Sequence, residues 1–293
     1  MTSKRIFEKL VILGVGLIGG SAALALRQAG QTGTIVGVGR NGDGLQEAID
    51  LGVIDAAAPL TEAVKDADFI LVATPVGQFP ALFEAMAPHL APNVVITDAG
   101  STKGDVIAAA RTHLSGHLHR FVPGHPIAGA EKSGVSAARP GLFTAKNVVL
   151  TPLEENDQDA IAKTDAFWQA CGANVCHMTQ ELHDEIFAAI SHLPHLLAFA
   201  LVADIAQRQN AAQILGFAAG GFRDFSRIAG SSPEMWRDIS LANRDALLHE
   251  IDAYQAQLTQ MRDMIERNDG AALEAVFKQA SHARNAWIKN LEK

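Results

Sequence analysis

Cysteine is scarce in this 293-residue chain, which has only Cys171 and Cys176, and neither sits in a paired metal-ligand spacing. That excludes a disulfide scaffold and a structural zinc, and leaves a reduced, cytoplasmic chain as the expectation. Positive charge is also short: 24 Lys and Arg against 32 Asp and Glu give a formal charge of -8, with no long basic run. Nothing is offered to a phosphate backbone or an anionic lipid surface, so neither nucleic acid nor a membrane is an expected partner. Internal repeats, low-complexity tracts and flexible-linker composition are missing too. With hydrophobic residues at 48% and charged residues at 19%, the chain can bury a large core and is not disordered. At roughly 100–200 residues per domain, its length predicts two closely packed domains.

One apolar run, Leu10 to Leu26, comes after Lys4, Arg5 and Lys9 and imitates a secretory signal, down to Ala23-Leu24-Ala25. It is interrupted by Gly14, Gly16, Gly19 and Gly20 and falls short of the about 20 residues of a membrane span. The chain beyond it continues as an α/β domain. Apolar strands Leu10–Leu13, Thr34–Val38, Phe69–Ala73, Val94–Thr97 and Val148–Leu150 alternate with helical stretches Ile18–Ala29, Leu45–Leu51, Phe79–His89 and Thr102–His113. Such alternation predicts a parallel sheet with helices on both faces. A helix over Asp157–Gly172 and a strand over Asn174–His177 complete a first domain at 1–178. From 179 to 293 the pattern is helical, over Glu181–Asn210, Gln213–Phe217, Pro233–Asn268 and Gly270–Leu291. In the third of these, Tyr254, Leu258, Met261 and Ile265 mark one buried face. The fold class is therefore an α/β Rossmann-type domain followed by an all-α domain, with the active site in the cleft between them.

The run Leu10-Val11-Ile12-Leu13-Gly14-Val15-Gly16-Leu17-Ile18-Gly19 places glycines at G-x-G-x-x-G spacing between a strand and a helix. Gly14 allows the tight turn, Gly16 lets backbone approach a pyrophosphate, and Gly19 lets the helix pack on the strand. An acid is expected at the end of the second strand to hold the ribose diol. This chain has Gly39 there, followed by Arg40. A guanidinium with no carboxylate beside it favours NADP over NAD. The alternative is that Arg40 is a solvated surface charge and another group, such as nearby Asp43, holds the ribose. Thr74 and Pro75, just after the Phe69–Ala73 strand, are assigned to the same cofactor site.

Two further clusters carry polar chemistry: Asp98-Ala99-Gly100-Ser101-Thr102-Lys103, and Gly124-His125-Pro126-Ile127-Ala128-Gly129-Ala130-Glu131-Lys132-Ser133-Gly134. His125 comes after an expected strand, Arg120–Pro123, at the carboxyl end of the sheet, where open α/β folds bind ligands. A neutral imidazole there can accept a proton near neutral pH. Lys103 and Lys132 fit either a phosphate or substrate contact or a solvated surface. Pro194 lies inside an apolar helical stretch and needs a reason.

Together with His183-Asp184, Ser191-His192-Leu193-Pro194-His195, Gly221 to Ala229 and Met235-Trp236-Arg237-Asp238, these segments resemble the prephenate and arogenate dehydrogenases, or cyclohexadienyl dehydrogenases, over nearly the whole chain and in the family's order. The resemblance implies oxidative decarboxylation: ring C4 gives hydride to the nicotinamide, the ring carboxylate leaves as CO2 and a phenol forms, a step of tyrosine biosynthesis. It implies that His125 takes the proton of the 4-hydroxyl, with Ser101 supporting His125 or that hydroxyl. Arg227 becomes the carboxylate clamp, His195 helps bind the side chain, and His192 and His183 stand near the site. Glu131 and Asp224 become polar gate groups, and Trp236 packs first and walls the site second. It further implies a homodimer. Gly39 and Ala130 depart from the common pattern. The length leaves no room for a regulatory domain, so tyrosine would compete at the active site. Two other readings stay open: a β-hydroxyacid type dehydrogenase, which would want a Lys that Glu181–Ala206 lacks, and a non-catalytic NADP sensor.

Overall fold

Leu10 and Ile12 point to one side of the first strand and Val11 and Leu13 to the other, and all four are buried, so this strand is covered on both faces. In the computed structural model, which describes residues 5–130 and 132–291, it is the middle of a six-stranded sheet. The strands are β1 (Phe7–Leu13), β2 (Thr32–Val38), β3 (Ala56–Ala57), β4 (Phe69–Val72), β5 (Val95–Asp98) and β6 (Phe121–Val122). Their order is β3-β2-β1-β4-β5-β6 and every pairing is parallel. The order reverses direction between β1 and β4, the switch point where such sheets open a ligand crevice at their carboxyl ends.

Helices α1 (Leu17–Gln28), α2 (Gly42–Asp50), α3 (Leu60–Ala63), α4 (Phe79–Met86), α5 (Gly104–His113) and α6 (Gln158–Ala170) cover the sheet. One core contains Leu10, Ile12, Phe69, Leu71, Phe167 and Trp168. The other, on the opposite face, contains Val11, Leu13, Ile70, Val72, Phe83 and Phe121.

The Val148–Leu150 strand departs from the sequence expectation, because it does not join the parallel sheet. It lies in a separate three-stranded sheet of β7 (Gly124–Pro126), β8 (Asn147–Leu150) and β9 (Asn174–His177), with β7 antiparallel to β8. Gly124 turns its N–H to Asp98 and its carbonyl to Lys103, so the chain leaves the parallel sheet right after β6. His125 thereby sits within a short strand, where β8 holds its backbone.

The carboxyl-terminal helices are α7 (Gln180–Phe187), α8 (Leu193–Ala206), α9 (Ala211–Gly216), α10 (Gly220–Ser226), α11 (Pro233–Ala242), α12 (Arg244–Glu266) and α13 (Gly270–Leu291). Two expected helices are each divided. A π turn, Ala188–His192, separates α7 from α8, and Asn243 separates α11 from α12. By compactness the chain forms two units, Met1–Arg244 and Asp245–Lys293. The first holds both sheets and α1 to α11, so α7 to α11 belong to the same unit as the sheets. The second is the rest of α12 with α13. The face expected to be buried on α12 is open instead: Tyr254, Leu258 and Ile265 are exposed in the single chain.

Candidate active site

The β1–α1 turn is shaped by its glycines. Gly14 has φ +94, and a Cβ there would meet the Ala73 carbonyl oxygen at 2.8 Å. At Gly19 a Cβ would collide with the Gly14 carbonyl, whereas at Gly16 it would meet nothing within 4 Å. The turn is thus closed below and open above Gly16. No side chain caps α1 and no acid lies in its first turn, which leaves the amide end, with Val15, Leu17 and Ile18, to an anion. Beside Gly14, Thr74 has a buried hydroxyl without a hydrogen-bond partner, and Pro75 opens the following turn. These features fit a dinucleotide. Gly39 and Arg40 lie exposed just past β2. A Cβ at Gly39 would meet only Leu45, at 3.5 Å or more, so packing does not forbid an acid there.

At the end of β5, Asp98 and Lys103 are both completely buried, with Nζ 2.5 Å from the carboxylate. The expectation that Lys103 is solvated or touches ligand is therefore corrected. Its ammonium donates to Asp98 and to the Gly124 carbonyl at 2.7 Å, while Asp98 accepts from the amides of Gly100 and Gly124 at 2.7 and 3.0 Å. The ion pair thus grips the residue that precedes His125.

His125 is half-buried, and its ring packs on Phe187 (centroids 4.8 Å apart) and His183 (5.1 Å). Its Nδ1 lies 2.9 Å from His183 Nε2, and His183 Nδ1 lies 2.8 Å from Asp184 Oδ1. Burial, reinforced by His183, Lys103 and His192, pushes His125 well below the usual histidine range. Burial also lowers His183, against the opposing pull of Asp184.

His192, in the π turn, accepts from Asn243 Nδ2 at 3.1 Å, and the same amide donates to the Asp184 carbonyl at 2.7 Å. Its Nε2 must then carry the proton. That atom is buried without a normal hydrogen bond, near the Ser101 backbone. Burial lowers His192 to about 4. His195 donates Nδ1–H to the Ser191 carbonyl at 2.9 Å and stacks on Trp236, with centroids 3.6 Å apart and planes 18° apart. Burial lowers His195 as well, helped by the charge of Arg227 nearby. The Trp236 Nε1 has no hydrogen-bond partner. Four imidazoles, His125, His183, His192 and His195, are thus kept neutral at the carboxyl edge of the sheet, beside an unsatisfied indole donor and a guanidinium.

Residues 22–177 match the family model of the prephenate dehydrogenase nucleotide-binding domain, and residues 179–279 that of the prephenate dehydrogenase dimerization domain. The chain belongs to the prephenate dehydrogenase family. It is 37% identical to the prephenate dehydrogenase of Bacillus subtilis over 95% of this chain and 76% of the relative. It is 35% identical to the cyclohexadienyl dehydrogenase of Zymomonas mobilis over 96% of both. The solved prephenate dehydrogenase of Aquifex aeolicus, in complex with hydroxyphenyl propionate and NAD+, is similar with a TM-score of 0.89 and 36% identity, covering 95% of this chain and 98% of that one. A nicotinamide dinucleotide is accordingly the cofactor of this prephenate dehydrogenase family member.

Of the residues singled out in the sequence, the structure gathers His125, His183, His192, His195 and Trp236. Arg227 is exposed just after α10, near His195, and Asp224 is exposed on α10 itself. Ser101 meets the cluster through its backbone beside His192. Among the described residues no hydrogen bond joins its hydroxyl to His125. Glu131 lies outside the described residues. Asp98, Asp184 and Asn243 were given no role by the sequence reading, although Asp98 closes an apolar strand and Asp184 adjoins a histidine, both of which hint at buried carboxylates needing partners.

Proposed function

We propose that this enzyme oxidatively decarboxylates prephenate or arogenate in tyrosine biosynthesis, with NADP as the preferred acceptor. The observation that carries the reading is the cluster of neutral imidazoles at the carboxyl edge of the sheet, with Arg227 beside it. When bound, the nicotinamide accepts the hydride from ring C4. His125 takes the proton of the 4-hydroxyl as that hydride leaves, which a neutral imidazole can do and an imidazolium cannot. Arg227 offers a bidentate clamp for a substrate carboxylate. His195 and Trp236 form a flat wall, and Phe187 keeps water from the ring edge of His125. Loss of CO2 and aromatisation drive the reaction, so the protein's task is alignment and polarisation of the hydroxyl. The NADP preference rests on Arg40 and on the missing acid at Gly39, a position with room for one.

Residues 1–178 serve as the cofactor-binding region and 179–293 as the substrate and dimerisation region. A homodimer is supported by the dimerization-domain match and by exposed Tyr254, Leu258, Ile265, Phe277 and Trp287. Cysteine usage supports a cytoplasmic location. The test is His125→Asn: NADP binding stays within about twofold while kcat falls by about 10²–10⁴-fold. Wild-type kcat in that variant would overturn the assignment.

A further inference from the structure

The contacts behind His125 form a chain whose donors and acceptors can be assigned from one end. Asp184 accepts from the amides of Lys103 (2.9 Å, Oδ1) and Gly104 (2.8 Å, Oδ2), and Oδ1 also receives His183 Nδ1 at 2.8 Å. These amides and His183 hold its carboxyl below the usual range, so it is ionised and can only accept. His183 Nδ1 must therefore carry a proton. In the neutral ring that burial favours, Nε2 is then a lone pair, and it faces His125 Nδ1 at 2.9 Å. His125 Nδ1 must in turn donate, which leaves its Nε2 bare.

Resting on the reading of His125 as proton acceptor, we propose that His183 and Asp184 are positioning residues that fix His125 in the Nδ1–H tautomer. The nitrogen presented to the substrate hydroxyl is then always the basic one. The same chain steadies the cation formed when Nε2 takes the proton, because Nδ1–H keeps its acceptor in His183 and His183 keeps Asp184. His183 suits this role, with its side chain wholly buried and its ring tilted 40° against Phe187, centroids 4.5 Å apart. The other charged and titratable groups facing His125 are Lys103 and Asp98, between β5 and α5, and His192 in the π turn. Lys103 and His192 lower its proton affinity, as does any charge on His183, and the hydrogen bond to Asp184 orients His183 so that its Nε2 lone pair faces His125.

Replacing Asp184 would also loosen the start of α5, so His183 is the cleaner site to test. His183→Phe fills the same space without an acceptor. His183→Asn keeps an amide too short to reach His125, and His183→Gln brings an acceptor oxygen back to the position of Nε2. Two readouts are taken: ¹⁵N NMR of the histidine rings in cofactor-free protein, and kcat against pH with prephenate and NADP.

The wild type is expected to show His125 protonated at Nδ1 and bare at Nε2. In His183→Phe and His183→Asn the proton redistributes to Nε2, kcat falls about 100-fold with KM within threefold, and the acid limb of the kcat profile moves down by about one pH unit because the cation has lost its acceptor. His183→Gln regains at least tenfold over His183→Asn. The proposal is overturned if kcat stays within twofold in the Phe and Asn variants, or if kcat falls while the tautomer and acid limb stay in place. An inactive His125→Asn alongside a normal His183→Phe removes this inference alone. A fully active His125→Asn removes the reading beneath it.

Discussion

Lys103 and Asp98 place two opposite charges where no water reaches either, and their value lies in what they hold. The pair binds both backbone polar groups of Gly124 and so sets the strand that carries His125. Removing one member of a buried pair leaves the other charge uncompensated, which costs about 3–5 kcal/mol. Lys103→Met is expected to lose that much in urea unfolding at pH 7, and a loss below about 1 kcal/mol would show that the pair is not what fixes this turn. At this scale the sequence was unevenly legible. His125 stood out because Gly, His and Pro come after an apolar strand, and Trp236 and His195 stood out by family resemblance. Lys103 did not, because it sits in a polar Ser-Thr-Lys-Gly stretch and its partner carbonyl is 21 residues away. Burial of that kind is decided by how two strands meet, and no local pattern reports it.

At the scale of elements, the apolar stretch from residue 180 to 206 reads as one helix because hydrophobic periodicity cannot see a single wide turn. The stretch is long and apolar enough to cross a membrane by length and composition, yet it carries His183 and His192 into the site. Pro194 gives the local reason for the break. It cannot donate to the carbonyl four residues earlier and crowds it, so the ladder widens over Ala188–His192 and α8 restarts with proline in its first turn. The widening has a geometric effect. In an unbroken helix, His183 and His192 would stand about 180° apart around the axis at roughly 100° per residue. One residue absorbed by the π turn brings them to about 80°, so both reach one site. Asn243 acts similarly at the α11–α12 junction, where its amide ties the Asp184 carbonyl to His192. Most of the parallel sheet, by contrast, was readable to within three residues at the strand ends, because strands buried on both faces appear as plain apolar runs; β3, two exposed residues, gave no such run, and Val148–Leu150 gave one but joins the other sheet.

For the molecule as a whole, the site histidines predict how stability depends on pH. Unfolded histidines titrate near 6.5, while burial lowers His125, His183, His192 and His195, the third of them to about 4. Between about pH 6.5 and 4 the unfolded chain binds more protons than the folded one, so stability falls as pH falls. Asp184, whose carboxyl is lowered, adds stability that is lost only as pH drops further, below the unfolded carboxylate range near 3.9. At about 1.4 kcal/mol per unit, His192 alone accounts for roughly 3 kcal/mol by pH 4. Calorimetry of the cofactor-free protein is expected to show Tm declining steadily from pH 7 to 4.5, more shallowly in His192→Gln. A flat Tm across that window would mean the histidines are not buried neutral.

The proposed reaction brings together the imidazole cluster, Arg227 as carboxylate clamp and the cofactor turn. Its most direct test is the initial rate of nicotinamide reduction by purified protein, with prephenate and arogenate each measured against NADP and NAD. Turnover with at least one of the two substrates is expected, with a higher kcat/KM for NADP than for NAD. No turnover in any of the four combinations, with NADP still bound, would contradict it.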